Sequence, residues 1–152
     1  MIFKEDFLQL VWKYQYFDKK ELRGINGESI RIIQVGFHNL SEGPDFRDSV
    51  IAIDGIALHG HVEVHRLASD WKQHSHGGDP AYNSVVLHVV WENDQEVLRN
   101  DGTAMPTLEL KGKIFLEVWR NYERMIDYKA ELPCGHGIKD VPEIIRFSTL
   151  EK

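Results

Sequence analysis

Two β-rich runs that meet at Asp54-Gly55 constrain the fold of this chain more than any other feature of its sequence. The run before the dipeptide predicts a strand over about 48–53, and the run after it predicts a longer strand over about 56–66. Asp-Gly favours the tight two-residue turn that joins antiparallel strands. We therefore predict a β-hairpin, and any fold for this chain must place that hairpin in a sheet.

The segments around the hairpin predict helices and further strands. Phe3, Phe7, Leu10, Val11 and Tyr14 are spaced as on one side of an amphipathic helix within residues 3–17. The run at about 84–91 is apolar on both faces, which is typical of a central, covered strand. The other predicted elements are a strand near 29–35, a short helix near 69–74, a short edge strand near 107–113 and a long helix from about 114.

This order predicts an α+β (α/β-like) fold with a mixed central β-sheet flanked by helices. A chain of 152 residues fits a single domain, here 1–152, and the segment 131–152 is expected to be a loosely structured tail. The single cysteine, Cys134, excludes an intramolecular disulfide and a cysteine-based zinc site.

The charge and hydropathy of the chain narrow the class of protein. A formal net charge of -6 does not indicate a uniformly basic nucleic-acid-binding surface, although a local basic groove remains compatible with it. The N-terminus lacks the pattern of a signal peptide, and no run approaches the length of a membrane span. We expect a soluble, cytoplasmic protein without a membrane partner; the oligomeric state is not predicted.

The segment 59–76 concentrates groups that bind metals or transfer protons. It holds five of the eight histidines of the chain, so it is the first place to look for a site: His59, His61, His65, His74 and His76. Because strand side chains alternate, His59, His61, Glu63 and His65 share one face. That face is either solvent-exposed or lines a cleft. His59 and His65 are about 20 Å apart along a strand, so they cannot serve one ion.

Asp45 extends this pattern across the hairpin. It lies nine positions before Asp54, and Glu63 lies nine positions after it, so the folded hairpin is expected to bring Asp45 close to Glu63 and His65. Carboxylate and imidazole donors suit Mg²⁺ or Mn²⁺, and also Zn²⁺. The alternative is that Asp45 is a turn residue after Pro44.

Pro44-Asp45, followed by Glu63-Val64-His65 on the next strand, resembles the signature of the PD-(D/E)xK nuclease superfamily. The resemblance implies a restriction-endonuclease-like core in the order helix-strand-strand-strand-helix-strand. It also implies that Asp45 and Glu63 are catalytic metal ligands, and that His65 takes the place of the lysine that helps to activate water. The implied function is a metal-dependent hydrolase, a phosphodiesterase that acts on DNA or RNA.

A second resemblance covers most of the chain. The runs EDFLQLVWKYQYFD, GPDF, GHVEVH, SDWKQHSHGGDPAYNSVVLHVVWEND and LPCG resemble the N-terminal part of an uncharacterised bacterial family, domain of unknown function 2851. Its members are usually longer, so the resemblance implies a short version or the N-terminal part of such a chain. It implies no activity.

Two other functions remain open beside the nuclease. The absence of the lysine of the PD-(D/E)xK signature and the net negative charge of the chain favour a non-catalytic binding module on a nuclease-like scaffold. The spacing of His74, His76 and Asp79 favours a histidine-rich metal-binding domain with a structural zinc site, or else a solvated loop.

Several further residues have both a functional and a structural interpretation. Accessory site residues are predicted at Glu5, which the helix dipole also explains, and at His61. Buried packing is the preferred interpretation of Trp71 and His88. Three basic residues either line a path for the phosphates of the substrate near the site or are ordinary surface charges: Arg47, Arg66 and Lys72.

Overall fold

The computed structural model describes residues 3–73 and 79–127, which fall into two compact units that divide after Phe115. The predicted tail at 131–152 lies outside the described residues. The first unit contains the helices α1 (Glu5–Tyr14) and α2 (Asp70–Gln73), a 3-10 turn (Pro80–Tyr82), and the strands β1 (Ile30–Gln34), β2 (Phe37–His38), β3 (Phe46–Ile53), β4 (Ile56–Leu67), β5 (Val85–Glu92) and β6 (Thr107–Glu109).

The six strands of the described residues form one mixed sheet. Its order is β1-β3-β4-β5-β6, and β2 pairs with β3 as well. The β1, β3 and β4 strands are antiparallel, whereas β4, β5 and β6 are parallel. The predicted α+β class with a mixed sheet is therefore confirmed, and so are the central position of β5 and the edge position of β6.

The hairpin between β3 and β4 forms at the predicted dipeptide. Asp54 and Gly55 both have positive φ, at 49° and 84°, and Ile53 pairs with Ile56 across the turn. Positive φ at both central residues is the type I′ geometry whose twist suits antiparallel strands. The turn is therefore centred between Asp54 and Gly55.

A β-bulge in β3 then changes the register of the hairpin. Ser49 pairs with Gly60, but Phe46 pairs with Val62, so β3 contains one extra residue in this interval. Asp48, in the bulge, has a φ of 55°. Without the bulge, Asp45 would lie level with Val64. The prediction that Asp45 lies beside Glu63 assumed a turn centred on Asp54, whereas the turn is centred half a residue later. Asp45 nevertheless lies beside Glu63, because the bulge shifts the register by one residue.

Helix α1 covers one face of the sheet. Its buried residues are Phe7, Leu8, Val11 and Trp12. Trp12 packs against Phe46 with ring centroids 6.4 Å apart, and Phe46 pairs with Val62. Directly paired strand residues point to the same face, so α1 lies over the face of β4 that carries Val62 and Val64.

The extent of α1 corrects the predicted helix over 3–17. It spans only Glu5–Tyr14, because Gln15 adopts a left-handed conformation and its N–H bonds to the Trp12 carbonyl. Two residues of the predicted apolar stripe are largely exposed, Leu10 at 45% and Tyr14 at 53%. Leu8 and Trp12 take their places in the core, since the buried stripe is rotated by one position.

The opposite face of the sheet has a smaller apolar cover. It consists of Trp71 from α2 and Tyr82 from the 3-10 turn, packed with a cluster that includes Ala68, Val85, Val90, Val97 and Met105. The interpretation of Trp71 as a buried packing residue is confirmed.

The second unit is described by helix α3 (Leu116–Asp127). It was predicted from about 114, with Met125 on its apolar side, but Met125 is 58% exposed. None of the helices in the described ranges has the length and apolar character needed to cross a membrane.

Candidate functional site

Three ionisable side chains lie in the interior beneath the Trp71 side of the sheet. Glu63 is 4% exposed, and His65 and His88 are fully buried. Glu63 and His65 alternate on β4 with Val62 and Val64, which face α1. Glu63 pairs in register with His88 of β5, so all three side chains share one face. The interpretation of this face of β4 as solvent-exposed is therefore wrong for Glu63 and His65.

Asp45 and Glu63 lie together, as the hairpin predicts, and each carboxylate accepts a backbone N–H bond from the other's segment of chain. The backbone N–H of Asp45 donates to Glu63 Oε2 at 3.0 Å, and the N–H of Val64 donates to Asp45 Oδ2 at 3.0 Å. The second carboxylate oxygen of Asp45 accepts from Gln9 Nε2 of α1 at 2.9 Å. These bonds tie the start of β3 to the middle of β4 and to α1.

A chain of contacts continues from Glu63 to β5. His65 Nε2 lies 3.5 Å from Glu63 Oε1, and His65 Nδ1 lies 2.8 Å from His88 Nε2. One nitrogen of the histidine pair donates and the other accepts, which sets the tautomer of each ring. The Glu63, His65 and His88 side chains thus form a continuous chain of polar contacts inside the sheet.

Burial gives Glu63 an unusual protonation state. Desolvation raises the pKa of its carboxyl to about 7, and the hydrogen bond from the Asp45 backbone opposes that rise. Burial also raises the pKa of the Tyr82 phenol to about 12, with further contributions from the negative charges of Glu63, Asp45 and Asp79. Glu63 therefore changes charge near neutral pH, while Tyr82 stays a neutral hydrogen-bond donor.

The predicted accessory residues occupy separate places. Glu5 is in the first turn of α1, four positions before Gln9, whose amide is the group that contacts Asp45. His61 Nδ1 accepts from the backbone N–H of Asp48 at 3.3 Å and so supports the bulge. Asp79 caps the 3-10 turn through Ala81. His74 and His76 lie outside the described residues.

The basic residues of the predicted phosphate path do not converge. Arg47 donates to the Glu42 carbonyl at 2.8 Å. The guanidinium of Arg66 lies 5.4 Å from the ring centroid of Phe3, which places it on the α1 side of β4, away from Glu63. Lys72 is exposed on α2.

Sequence reasoning did not find two side chains of the site and assigned a third only to packing. Gln9 is one helical turn after Glu5, so the helical repeat that singled out Glu5 equally indicates Gln9. Tyr82 lies in a polar segment without any periodic signal. His88 was interpreted as a hydrogen-bonded core histidine, and its bond to His65 confirms that interpretation.

The donor set at Asp45 and Glu63 is compatible with a divalent ion. Across residues 3–73 and 79–127, no cluster of three or more His, Cys, Asp or Glu side chains is arranged to hold a metal. Mg²⁺ needs no such cluster, because it is commonly held by one or two carboxylates together with water and substrate phosphate. Asp45 and Glu63 fit this kind of site, whereas a closed zinc site needs about four protein ligands.

Comparison with known proteins identifies one family. The model of the family described as "Protein of unknown function (DUF2851)" matches residues 5–152. No curated protein and no solved structure matches the chain.

Proposed function

The chain belongs to the DUF2851 family, and for this member we propose a divalent-metal-dependent, nuclease-like phosphodiesterase activity on DNA or RNA. The observation that carries the proposal is the proximity of Asp45 and Glu63: Glu63 accepts from the Asp45 N–H, Asp45 accepts from the N–H of Val64, and His65 Nε2 lies 3.5 Å from the Glu63 carboxylate. Glu63 and His65 of β4 are brought together with Asp45, which immediately precedes β3, in a place where the hydrophobic core alone would favour apolar side chains.

Each residue has a distinct role in the proposed site. Asp45 and Glu63 are the ligands for Mg²⁺ or Mn²⁺, and oxygen donors favour these ions over Zn²⁺. When bound, the ion would polarise the scissile phosphate and lower the pKa of water. His65 would accept the proton of the attacking water, because an unprotonated imidazole nitrogen can act as a general base. His88 holds the His65 ring through its 2.8 Å contact, and Gln9 holds Asp45.

The order of elements along the chain also supports the proposal. When β2 and the 3-10 turn are set aside, the elements from α1 to β5 occur as helix, three strands, helix and strand, which is compatible with the order that the PD-(D/E)xK resemblance implies. The sheet additionally contains β2 and β6. Histidine in place of lysine means that this site has no permanent cation at that position, so phosphate charge must be balanced mainly by the ion.

A cleavage assay tests the proposal. Purified protein is incubated with single- and double-stranded DNA and RNA in Mg²⁺ or Mn²⁺, with EDTA as the blank. We expect cleavage that is abolished by Asp45→Asn and Glu63→Gln. His59→Ala, an exposed position on the same face of β4, is the matched control and should retain activity. A well-folded protein that cleaves none of these substrates with either ion contradicts the proposal.

One observation favours a binding module as the second candidate function. Both oxygens of Asp45 and Oε2 of Glu63 already accept hydrogen bonds from the protein, so the cluster is stable as a structural element without an ion. Isothermal titration calorimetry separates the two candidates. Binding of Mn²⁺ that disappears in Asp45→Asn supports the enzyme, whereas nucleic-acid binding that is the same with and without the ion, in a protein that does not cleave, supports the module.

A further inference from the structure

A pocket of about 240 Å³ lies at the Trp71 side of the sheet. Its aromatic lining consists of Trp71 and Tyr82, whose ring centroids are 6.1 Å apart in an edge-to-face arrangement. Trp71 is almost fully buried, so the half-buried ring of Tyr82 provides most of the accessible aromatic surface. Met105 adds an apolar side chain. This lining suits a flat, unsaturated ring system.

Polar groups complete the lining of this pocket. Asn100 Nδ2 donates to Asn83 Oδ1 at 3.0 Å, and each amide has one donor and one acceptor function. The pair therefore retains Asn83 Nδ2 as a donor and Asn100 Oδ1 as an acceptor. Arg99 is held in place by a 2.6 Å bond from its Nη1 to the Val85 carbonyl. A donor beside an acceptor complements the hydrogen-bonding edge of a nucleobase.

The charges of the pocket argue against phosphate as its ligand. Arg99 supplies one positive charge, but Asp101 also lines the pocket. Hydrogen bonds from Thr103 lower the pKa of the Asp101 carboxyl, which keeps it ionised. Because the charges of Arg99 and Asp101 balance, an anionic ligand would gain little electrostatic attraction in this pocket. A neutral planar group with hydrogen-bonding edges is the ligand that this combination selects.

Trp71 connects the pocket to the histidines beside the acid cluster. Trp71 lies 5.1 Å from the His88 ring and 6.4 Å from the His65 ring, centroid to centroid. Tyr82 is close enough to Glu63 and Asp45 for their charges to raise its pKa. Trp71 therefore links a group bound in the pocket to His65, whose Nε2 lies 3.5 Å from the Glu63 carboxylate.

We propose that this pocket is a base-binding subsite that takes one unstacked nucleobase from single-stranded nucleic acid and thereby places the adjacent phosphodiester at Asp45 and Glu63. The placement of the phosphodiester at Asp45 and Glu63 rests on the proposed function. The binding of a base is inferred from the lining of the pocket alone. A pocket of this volume is smaller than those that enclose drug-sized ligands, so it accommodates a single base rather than a whole nucleotide.

The test compares an intact oligonucleotide with an abasic one. Binding of a short fluorescein-labelled single-stranded DNA to the full chain is measured by fluorescence anisotropy in EDTA, so that no cleavage occurs. A second probe of the same length carries abasic sites throughout. Loss of base stacking should weaken binding by at least about fivefold. Equal affinity for the two probes overturns the proposal, because contacts to the backbone alone would then account for binding.

Variants of the pocket provide the second part of the test. Asn100→Ala removes an exposed side chain and should weaken binding of the intact probe by about threefold or more, with little change for the abasic probe. Tyr82→Leu should do the same, while Tyr82→Phe keeps the ring and the preference for bases. Asn26→Ala, an exposed asparagine outside the pocket, is the control. Wild-type affinity in folded Asn100→Ala and Tyr82→Leu proteins overturns the proposal.

The outcomes separate this inference from the proposed function. Base-dependent binding without metal-dependent cleavage supports the subsite and contradicts the phosphodiesterase. Cleavage that proceeds equally well in Asn100→Ala and Tyr82→Leu supports the phosphodiesterase and overturns the subsite.

Discussion

The buried carboxyl of Glu63 is the residue on which the chemistry of this protein most depends. Desolvation makes its negative charge costly, and the hydrogen bond from Asp45 only partly offsets that cost. The contact with His65, whose Nε2 lies 3.5 Å from Glu63 Oε1, places an imidazole beside this carboxyl. Glu63 therefore links the protonation of the interior to the stability of the fold.

This link predicts a pH-dependent stability. The pKa of Glu63 rises from 4.5 to about 7 on folding, so between these values the folded state binds more protons than the unfolded state. The Glu63 contribution then makes the protein less stable as pH rises from about 5 to 8, by up to about 3 kcal/mol. Glu63→Gln should remove this contribution. The free energy of unfolding, measured by urea titration in EDTA, should fall less steeply with pH than in the wild type.

Glu42→Gln is the matched control for this measurement, because Glu42 is exposed in the loop before β3. The difference between the wild type and each variant isolates the substituted carboxyl from the histidines that titrate in the same range. If the pH profiles of Glu63→Gln and the wild type run parallel, the carboxyl of Glu63 has an ordinary pKa in the folded state.

At the scale of elements, the β-bulge in β3 determines which residues meet. Two residues of β3, Arg47 and Asp48, occupy the interval that a single residue of β4 spans, and this brings Asp45 level with Glu63. The left-handed conformation of Asp48 is what makes the bulge possible. Asp and Asn tolerate this conformation better than other non-glycine residues, which explains an aspartate at this position.

Substitutions of Asp48 should follow from its φ of 55°. Asp48→Val places a β-branched side chain in the left-handed region and should destabilise the protein by about 1–2 kcal/mol. Asp48→Gly relieves the strain and should leave stability unchanged or slightly higher. Urea unfolding of the two variants provides the comparison. Equal stabilities would mean that the backbone at the bulge relaxes to a different conformation without cost.

The contact between β4 and β5 imposes a second requirement, at Gly60. A Cβ at this position would lie 2.3 Å from the Ser84 carbonyl oxygen, which is backbone and cannot move aside. Gly60→Ala should therefore destabilise the protein by about 1–3 kcal/mol. At Gly24 the nearest atoms belong to the flexible side chain of Glu28, so Gly24→Ala is a control with a smaller expected loss. Similar losses of stability in Gly60→Ala and Gly24→Ala, measured by thermal unfolding, would contradict this explanation.

At the scale of the whole molecule, ion binding to Asp45 and Glu63 should stabilise the folded state. A ligand that binds only the folded protein adds about 2.7 kcal/mol when its concentration is a hundred times its Kd. We expect Mn²⁺ to raise the Tm by several degrees in the wild type and in His59→Ala, and not in Asp45→Asn or Glu63→Gln. Differential scanning calorimetry measures the effect. An equal shift in Asp45→Asn would place the ion elsewhere.

The sequence by itself determined the elements and the hairpin that the site needs. Alternation of apolar and polar residues identified β4, and a continuous apolar run identified β5. The Asp54-Gly55 dipeptide identified the hairpin, and helical spacing identified α1. These signals are local, because they depend on the period of a strand or helix and on the backbone preferences of one or two residues. The turn alone would place Asp45 level with Val64, and the bulge in β3 moves it level with Glu63.

Only the tertiary structure decided what surrounds that pair. The bonds of Gln9 to Asp45 and of His88 to His65 join residues 36 and 23 positions apart, and no local periodicity encodes such pairings. The rise in the pKa of Glu63 has the same origin, since it depends on how completely Trp71, Tyr82 and the neighbouring strands exclude water. Strand period and turn chemistry are local properties, whereas desolvation and side-chain hydrogen bonding belong to the packed interior.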